Sequence, residues 1–160
     1  STLIHFLLLR LLRLFAAIQI PAFKMKDPIF ELCDSIRETS YSLHRYLRHG
    51  HAEKVYENGL LHRLRKAGFD VEQQHPLPVY DEDGTLLGDF YADLLIDGKL
   101  IVELKACRSI VGDHIAQLLG YLRAARMEHG LLINFGSPSL WIKKYALSQN
   151  PIDTDPPTLY

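Results

Sequence analysis

The sequence predicts an α/β chain of the α+β kind, with helices and sheet packed as one domain, and three observations carry that prediction. Apolar residues recur at steps of three and four in two early stretches and one late one, the spacing of helical faces. Between them lie stretches of alternating or continuous apolar character bounded by Gly, Pro and Asp, which are strand signals. The length of 160 residues, with 48% hydrophobic and 23% charged residues, suits a single globular core and excludes global disorder.

Taken in order, Ile29, Cys33, Ile36, Ser40, Leu43 and Leu47 mark one face of a first helix over Ile29 to Leu47. Gly50 breaks it, and His51 to Ala67 forms a second helix with Tyr56, Leu60, Leu64 and Ala67 on one stripe and Gly68 as its C-terminal stop. Phe69 to Tyr80 then alternates as a strand, with Pro76 and Pro78 suggesting an edge. After the acidic turn at Asp81, the segment Leu86 to Ile96 folds back at Asp97-Gly98 into Lys99 to Ala106, giving consecutive antiparallel strands. Asp113 is positioned to cap a third helix over His114 to Met127, whose Ile115, Leu118, Leu119 and Leu122 face a core, and Gly130 ends it. Leu131 to Phe135 and Leu140 to Ala146 are two short strands. The order is α-α-β-β-β-α-β-β, with no internal repeat.

The ends read differently. Leu3 to Ile20 is mostly apolar, yet Arg10 and Arg13 interrupt it, each costing roughly 2.5 to 3.5 kcal/mol at a bilayer centre, so no stable membrane span is expected. The first methionine is Met25, and mixed composition starts there. Residues 1–24 are expected to be an apolar extension, 25–148 the domain and 149–160 a loose, proline-containing tail. Cys33 and Cys107 have no CxxC partner, which excludes a disulfide scaffold and a four-cysteine metal site and points to a reducing, cytoplasmic compartment.

A net charge of -1 means that any nucleic-acid contact must come from a local patch. Residues 44–66 hold six Lys or Arg against two acids, whereas residues 70–97 hold eight acids and no Lys or Arg. The basic helix is either a solvated amphipathic face or a track for phosphates through residues such as Arg45, Arg48, Lys54 and Arg63.

Glu103 and Lys105 are two apart on a strand, so their side chains leave the same face. Asp93 shares that face if the hairpin pairs residues whose numbers sum to an even total, as in a turn that places Leu95 opposite Lys99 and Tyr91 opposite Glu103. An exposed salt bridge would satisfy the same pattern. However, the flanking run Leu94, Leu95, Ile96, Leu100, Ile101, Val102 and Leu104 has the character of strands buried on both faces, where charges are costly unless paired or bound to metal. Glu53 falls on the apolar stripe of the second helix, either facing inward or favoured there by the helix dipole. Gln117 and Tyr121, four apart on the third helix, form either a solvated flank or one wall of a pocket.

Gly50-His51-Ala52-Glu53-Lys54-Val55-Tyr56 resembles the signature of the GxxExxY proteins, a branch of the PD-(D/E)XK nuclease-like superfamily. The likeness continues through VEQQHPLPVY, ADLLIDGKLIVELKA, AQLLGYLRA and LLINFGSPSL, over roughly residues 30–147. It implies a restriction-endonuclease-like core with a mixed central sheet flanked by helices. It also implies a magnesium or manganese site from Glu53, Asp93 and Glu103 with the Leu104 carbonyl, and catalytic roles for Lys105, Gln117 and Tyr121. The implied partner is nucleic acid, DNA ahead of RNA, and the implied reaction is phosphodiester hydrolysis by an endo- or exonuclease. The alternative is a non-catalytic module on the same fold that binds nucleic acid or another partner. Ala92 stands where the superfamily name has proline.

Overall fold

A computed structural model describes residues 27–147, so the expected extension at 1–24 and tail at 149–160 lie outside the described residues. The element order is the expected one: α1 (Pro28–Leu47), α2 (Glu53–Lys66), β1 (Val71–Tyr80), β2 (Leu86–Ile96), β3 (Leu100–Lys105), α3 (Gly112–Ala125), β4 (His129–Asn134) and β5 (Trp141–Ala146). The five strands form one mixed sheet in the order β1-β2-β3-β4-β5. All neighbours are antiparallel except β3 and β4, which α3 joins as a parallel crossover. Among the described residues no helix is long and apolar enough to cross a membrane.

Each face of the sheet has its own core. On one side Ile36 from α1 and Tyr56, Leu60 and Leu64 from α2 pack on Leu94, Ile96, Leu100 and Val102. On the other, Leu118 and Leu122 of α3 pack on Leu95, Ile101 and Leu132. Strands β2 and β3 are therefore covered on both faces, which explains their unbroken apolar runs. β1 is an edge strand, where Pro76 and Pro78 are tolerated. Cys33 is buried and Cys107 half-buried, and both are free thiols.

Three expectations are corrected. The hairpin turn is Asp97-Gly98-Lys99 rather than Ile96-Asp97-Gly98, so Ile96 faces Leu100 and Leu94 faces Val102. Both Asp97 (φ 51°) and Gly98 (φ 62°) take left-handed backbone, and the shift keeps Lys99 out of the ladder while burying Leu100. The residue numbers still sum to an even total. Asp113 is not the cap of α3: the helix begins at Gly112, the Val111 N–H donates to Nδ1 of His114 at 3.3 Å, and Asp113 sits in the first turn, where the helix dipole favours it. Gly130 does not end α3, which stops at Ala125 with Arg126 in left-handed backbone. Gly130 lies in β4 instead, beneath Leu118, whose Cδ1 would be 2.9 Å from any added Cβ.

The sites where β3 and β4 end are locked together. Buried Asn134 accepts the Cys107 N–H at 3.1 Å and the Gly136 N–H at 3.0 Å through Oδ1, and donates to the Cys107 carbonyl at 2.9 Å. The Phe135 N–H adds a bond to the Lys105 carbonyl at 2.8 Å. A Cβ on Gly136 would lie 2.3 Å from the Cys107 nitrogen, so only glycine lets these two backbones approach. We expect Gly136→Ala to separate the segments, lowering the melting temperature by about 5 °C or more. A thermal melt indistinguishable from wild type would contradict that packing.

Candidate metal and catalytic centre

The sequence stripe GxxExxY is first a structural device. Gly50 (φ 111°) turns the chain between α1 and α2. Four residues into α2, fully buried Tyr56 donates its hydroxyl to the Arg48 carbonyl at 2.6 Å, accepts the His51 N–H at 3.2 Å, and stacks on Phe135. This anchors the N-terminus of α2 to the α1–α2 turn and against the end of β4. Glu53, the first residue of α2, is half-buried there and accepts the Ala106 N–H at 3.2 Å.

The β2–β3 ladder ends at the pair Leu94 and Val102. Beyond it the Asp93 carboxylate takes the place of a backbone acceptor: Oδ2 receives the Leu104 N–H at 2.7 Å. Glu103, 3% exposed, receives the Lys105 ammonium on Oε1 at 3.0 Å, while its Oε2 is buried with no hydrogen-bond partner. Burial, then the charge of Asp93, pushes the Glu103 pKa up to about 7. Burial also raises Asp93, with Glu57 and Glu53 adding to it against the Leu104 hydrogen bond. For Lys105 burial alone would lower the pKa, but Glu103, Glu53 and Asp93 more than offset it and hold the ammonium protonated.

Gln117 donates to the Tyr121 hydroxyl at 2.8 Å, so this pair is bound to itself. Tyr121 is buried, its hydroxyl pKa raised by that burial, and it feels the charges of Glu103, Lys105 and Asp93. The expected phosphate contacts are spread over α1 and α2: Arg45 and Arg48 are exposed, Lys54 pairs with Glu57 at 2.7 Å, and Arg63 donates to Ser42 at 2.9 Å beside the Tyr46 ring.

Two residues absent from the sequence reading complete the centre. Glu57, one helical turn after Glu53 and 3% exposed, accepts on Oε1 from Lys54 and Gln73 at 2.7 Å each and from Gln74 at 3.1 Å. Gln74 also donates to Asp93 Oδ1 at 3.2 Å, linking α2 to the fork through one amide. Its backbone is left-handed (φ 53°), unusual for a strand residue without glycine. The sheet changes sides at the same place: Leu94 belongs to the α1–α2 core, whereas Ala92 belongs to the α3 core. The i, i+4 spacing of Glu53 and Glu57 was the available signal. The contact with Gln74 had none, because it depends on that local reversal.

Among the described residues no three His, Cys, Asp or Glu side chains are arranged to hold a metal ion by themselves. A magnesium ion does not need three: one or two carboxylates, with waters and phosphate oxygens, are its usual set. The buried, unpartnered Oε2 of Glu103 beside Asp93 fits a hard cation, since a carboxylate oxygen stripped of water and without a donor is an open ligand position.

Two outcomes follow. The folded protein holds a proton on Glu103 up to about pH 7, which the unfolded chain releases near its ordinary 4.5. Stability from this group is therefore full below the lower value and lost as pH rises through the upper one. Without divalent metal, urea unfolding should weaken by roughly 3 kcal/mol across that window, and Glu103→Gln should flatten the difference; parallel pH curves for the two proteins would contradict it. Second, Gln74→Gly keeps the left-handed backbone but removes the amide, and should shift the Leu104 amide resonance and weaken magnesium binding about 10-fold or more. An unmoved Leu104 resonance would show that Asp93 is held without Gln74.

Residues 30–145 match a family model described as the PD-(D/E)XK nuclease superfamily. No curated protein matches the chain. A solved structure described as the crystal structure of SSO0001 is similar at 23% identity and a TM-score of 0.47, covering 58% of this chain and 50% of that one. This chain thus spans about half the length of that structure. With the family match running from α1 to β5, the chain belongs to the PD-(D/E)XK nuclease superfamily.

Proposed function

We propose that the protein is a magnesium- or manganese-dependent nuclease of the GxxExxY branch that hydrolyses phosphodiester bonds, with DNA ahead of RNA as substrate. The observation that carries this is Glu103 Oε2, buried without a partner between Asp93 and Lys105. A carboxylate kept in this state destabilises the fold, and ligation of a cation relieves it.

Asp93, Glu103 and the Leu104 carbonyl would hold the ion, with Glu53 contributing a further carboxylate at the end of β3. These residues would thereby supply the reaction with a more acidic water and with positive charge beside the phosphate oxygens, through the ion they hold. Lys105, held protonated by its acidic neighbours, orients the attacking water or donates to the phosphate oxygens as their charge builds. Tyr121, with its hydroxyl held by Gln117, lies within the field of the same three charges and steadies Lys105 or a phosphate oxygen. Arg45 and Arg48, with Lys54 and Arg63 behind them, supply backbone contacts along the α1–α2 layer. The two free thiols suit a cytoplasmic setting.

The test is cleavage of labelled single- and double-stranded DNA and RNA with magnesium or manganese, beside calorimetric metal titration. Lys105→Met should retain metal binding and lose about 100-fold or more in cleavage rate, the scale of one transition-state contact. Asp93→Asn should weaken metal binding itself, with Gln117→Ala intermediate in rate. Wild-type protein that binds metal and nucleic acid but cuts none of these substrates would replace the enzyme with a binding module on the same fold.

A further inference from the structure

We propose that the cavity beside the Lys105 end of the sheet, walled by Trp141, Tyr145, Arg108 and Lys143, binds one unpaired nucleotide flanking the cleaved bond, so that the substrate is a single strand. The choice of occupant rests on the nuclease reading above.

The register of the sheet sets the position. Lys105 pairs with Asn134, and Asn134 with Trp141, so the three form one row across β3, β4 and β5 on the face covered by α3. Neighbouring strands are about 4.8 Å apart, which places Trp141 about 10 Å from Lys105 in the backbone. A strand with bases about 3.4 Å apart reaches that distance within about three nucleotides. A phosphodiester at Lys105 therefore brings its close neighbours to Trp141.

The lining supplies both halves of a nucleotide's chemistry. The cavity measures about 360 Å³ and contains Arg108 and Lys143 with no acidic side chain among its described walls. Trp141 and Tyr145, half-buried against the α3 core, line it with aromatic rings, and the Lys143 ammonium lies over the Tyr145 ring at 5.3 Å from its centre. Aromatic faces with interleaved cations are how proteins grip unpaired bases and their phosphates. The Tyr145 hydroxyl is buried in the same wall without a partner, an unused donor of the kind that functional sites retain. Arg108 is fixed from behind, because Asn134 clamps Cys107 with two backbone bonds.

The larger cavity, about 640 Å³, lies at the opposite end of β3 and β4. Asp27, Glu31, Asp97 and Glu128 line it against Lys99 and His129, so acids outnumber bases there and it suits phosphate less. Stacking on Trp141 also requires a base face that a duplex neighbour would cover, which selects a single strand.

Trp141 is the only tryptophan in the chain, so its emission reports the cavity directly. The full chain, kept metal-free with a chelator, is titrated with ten-nucleotide oligothymidylate, with oligouridylate, and with the thymidylate annealed to its complement. Either single strand should quench Trp141 emission saturably by about half or more, and the duplex by far less. Arg108→Ala combined with Lys143→Ala should weaken that binding about 10-fold or more and reduce its salt dependence. Cleavage is followed in parallel with magnesium. Single-strand cleavage without quenching, or equal quenching by the duplex, overturns the cavity and leaves the nuclease reading standing. Quenching without cleavage upholds the cavity and overturns the nuclease. Neither quenching nor cleavage removes both.

Discussion

Where β2 parts from β3, the Asp93 carboxylate accepts the Leu104 N–H that the ladder no longer serves. Leu104 is fully buried, and an unpaired N–H there would cost about 1 to 3 kcal/mol. The side chain that closes the sheet is thus the one that the centre needs in place. Removing it opens the fork and the site together. Its other oxygen leads through Gln74 to Glu57, so the orientation of Asp93 is tied to α2, and α2 is tied to the end of β3 by Glu53 and to the α1 turn by Tyr56.

The electrostatic consequence is an imbalance left in place. Glu103 and Asp93 are buried beside Lys105, with Glu53 close enough to add its charge, and one ammonium does not neutralise three carboxylates. The fold therefore favours a proton on Glu103 near neutral pH. In the proposed function a cation at that place would substitute for the proton and so couple stability to ligation through this carboxylate. Stability given up at a centre of this kind is recovered elsewhere, here in the two cores and in the Asn134 and Gly136 lock behind Lys105.

The two layers divide the work. α1 and its C-terminal end present the cations Arg45 and Arg48 on exposed positions, while α3, which carries Tyr121, covers the face that holds Lys105 and Trp141. The parallel step between β3 and β4 is what brings Asn134 beside Lys105 and starts the row toward β5. An antiparallel pair would have turned that end of β4 away.

Local physics makes much of this molecule legible in its amino-acid order. Periods of three and four, alternation and unbroken apolar runs identify the eight elements of the described residues, and the apolar run around Asp93 and Glu103 shows that these charges sit inside buried strands. The two-residue spacing of Glu103 and Lys105 puts them on one face wherever the strand lies. Packing between distant elements set the remainder. The hairpin slipped by one residue from the expected pairing because burial of Leu100 and solvation of Lys99 outweigh turn preference. Gly130 reads as a helix stop but serves contact with Leu118, 12 positions earlier. Glu57 and Gln74 meet only because β1 and β2 change sides at Asp93, and the row from Lys105 to Trp141 exists only through strand order. Periodicity describes which way a side chain leaves its own element. It holds no information about which distant element will be waiting there.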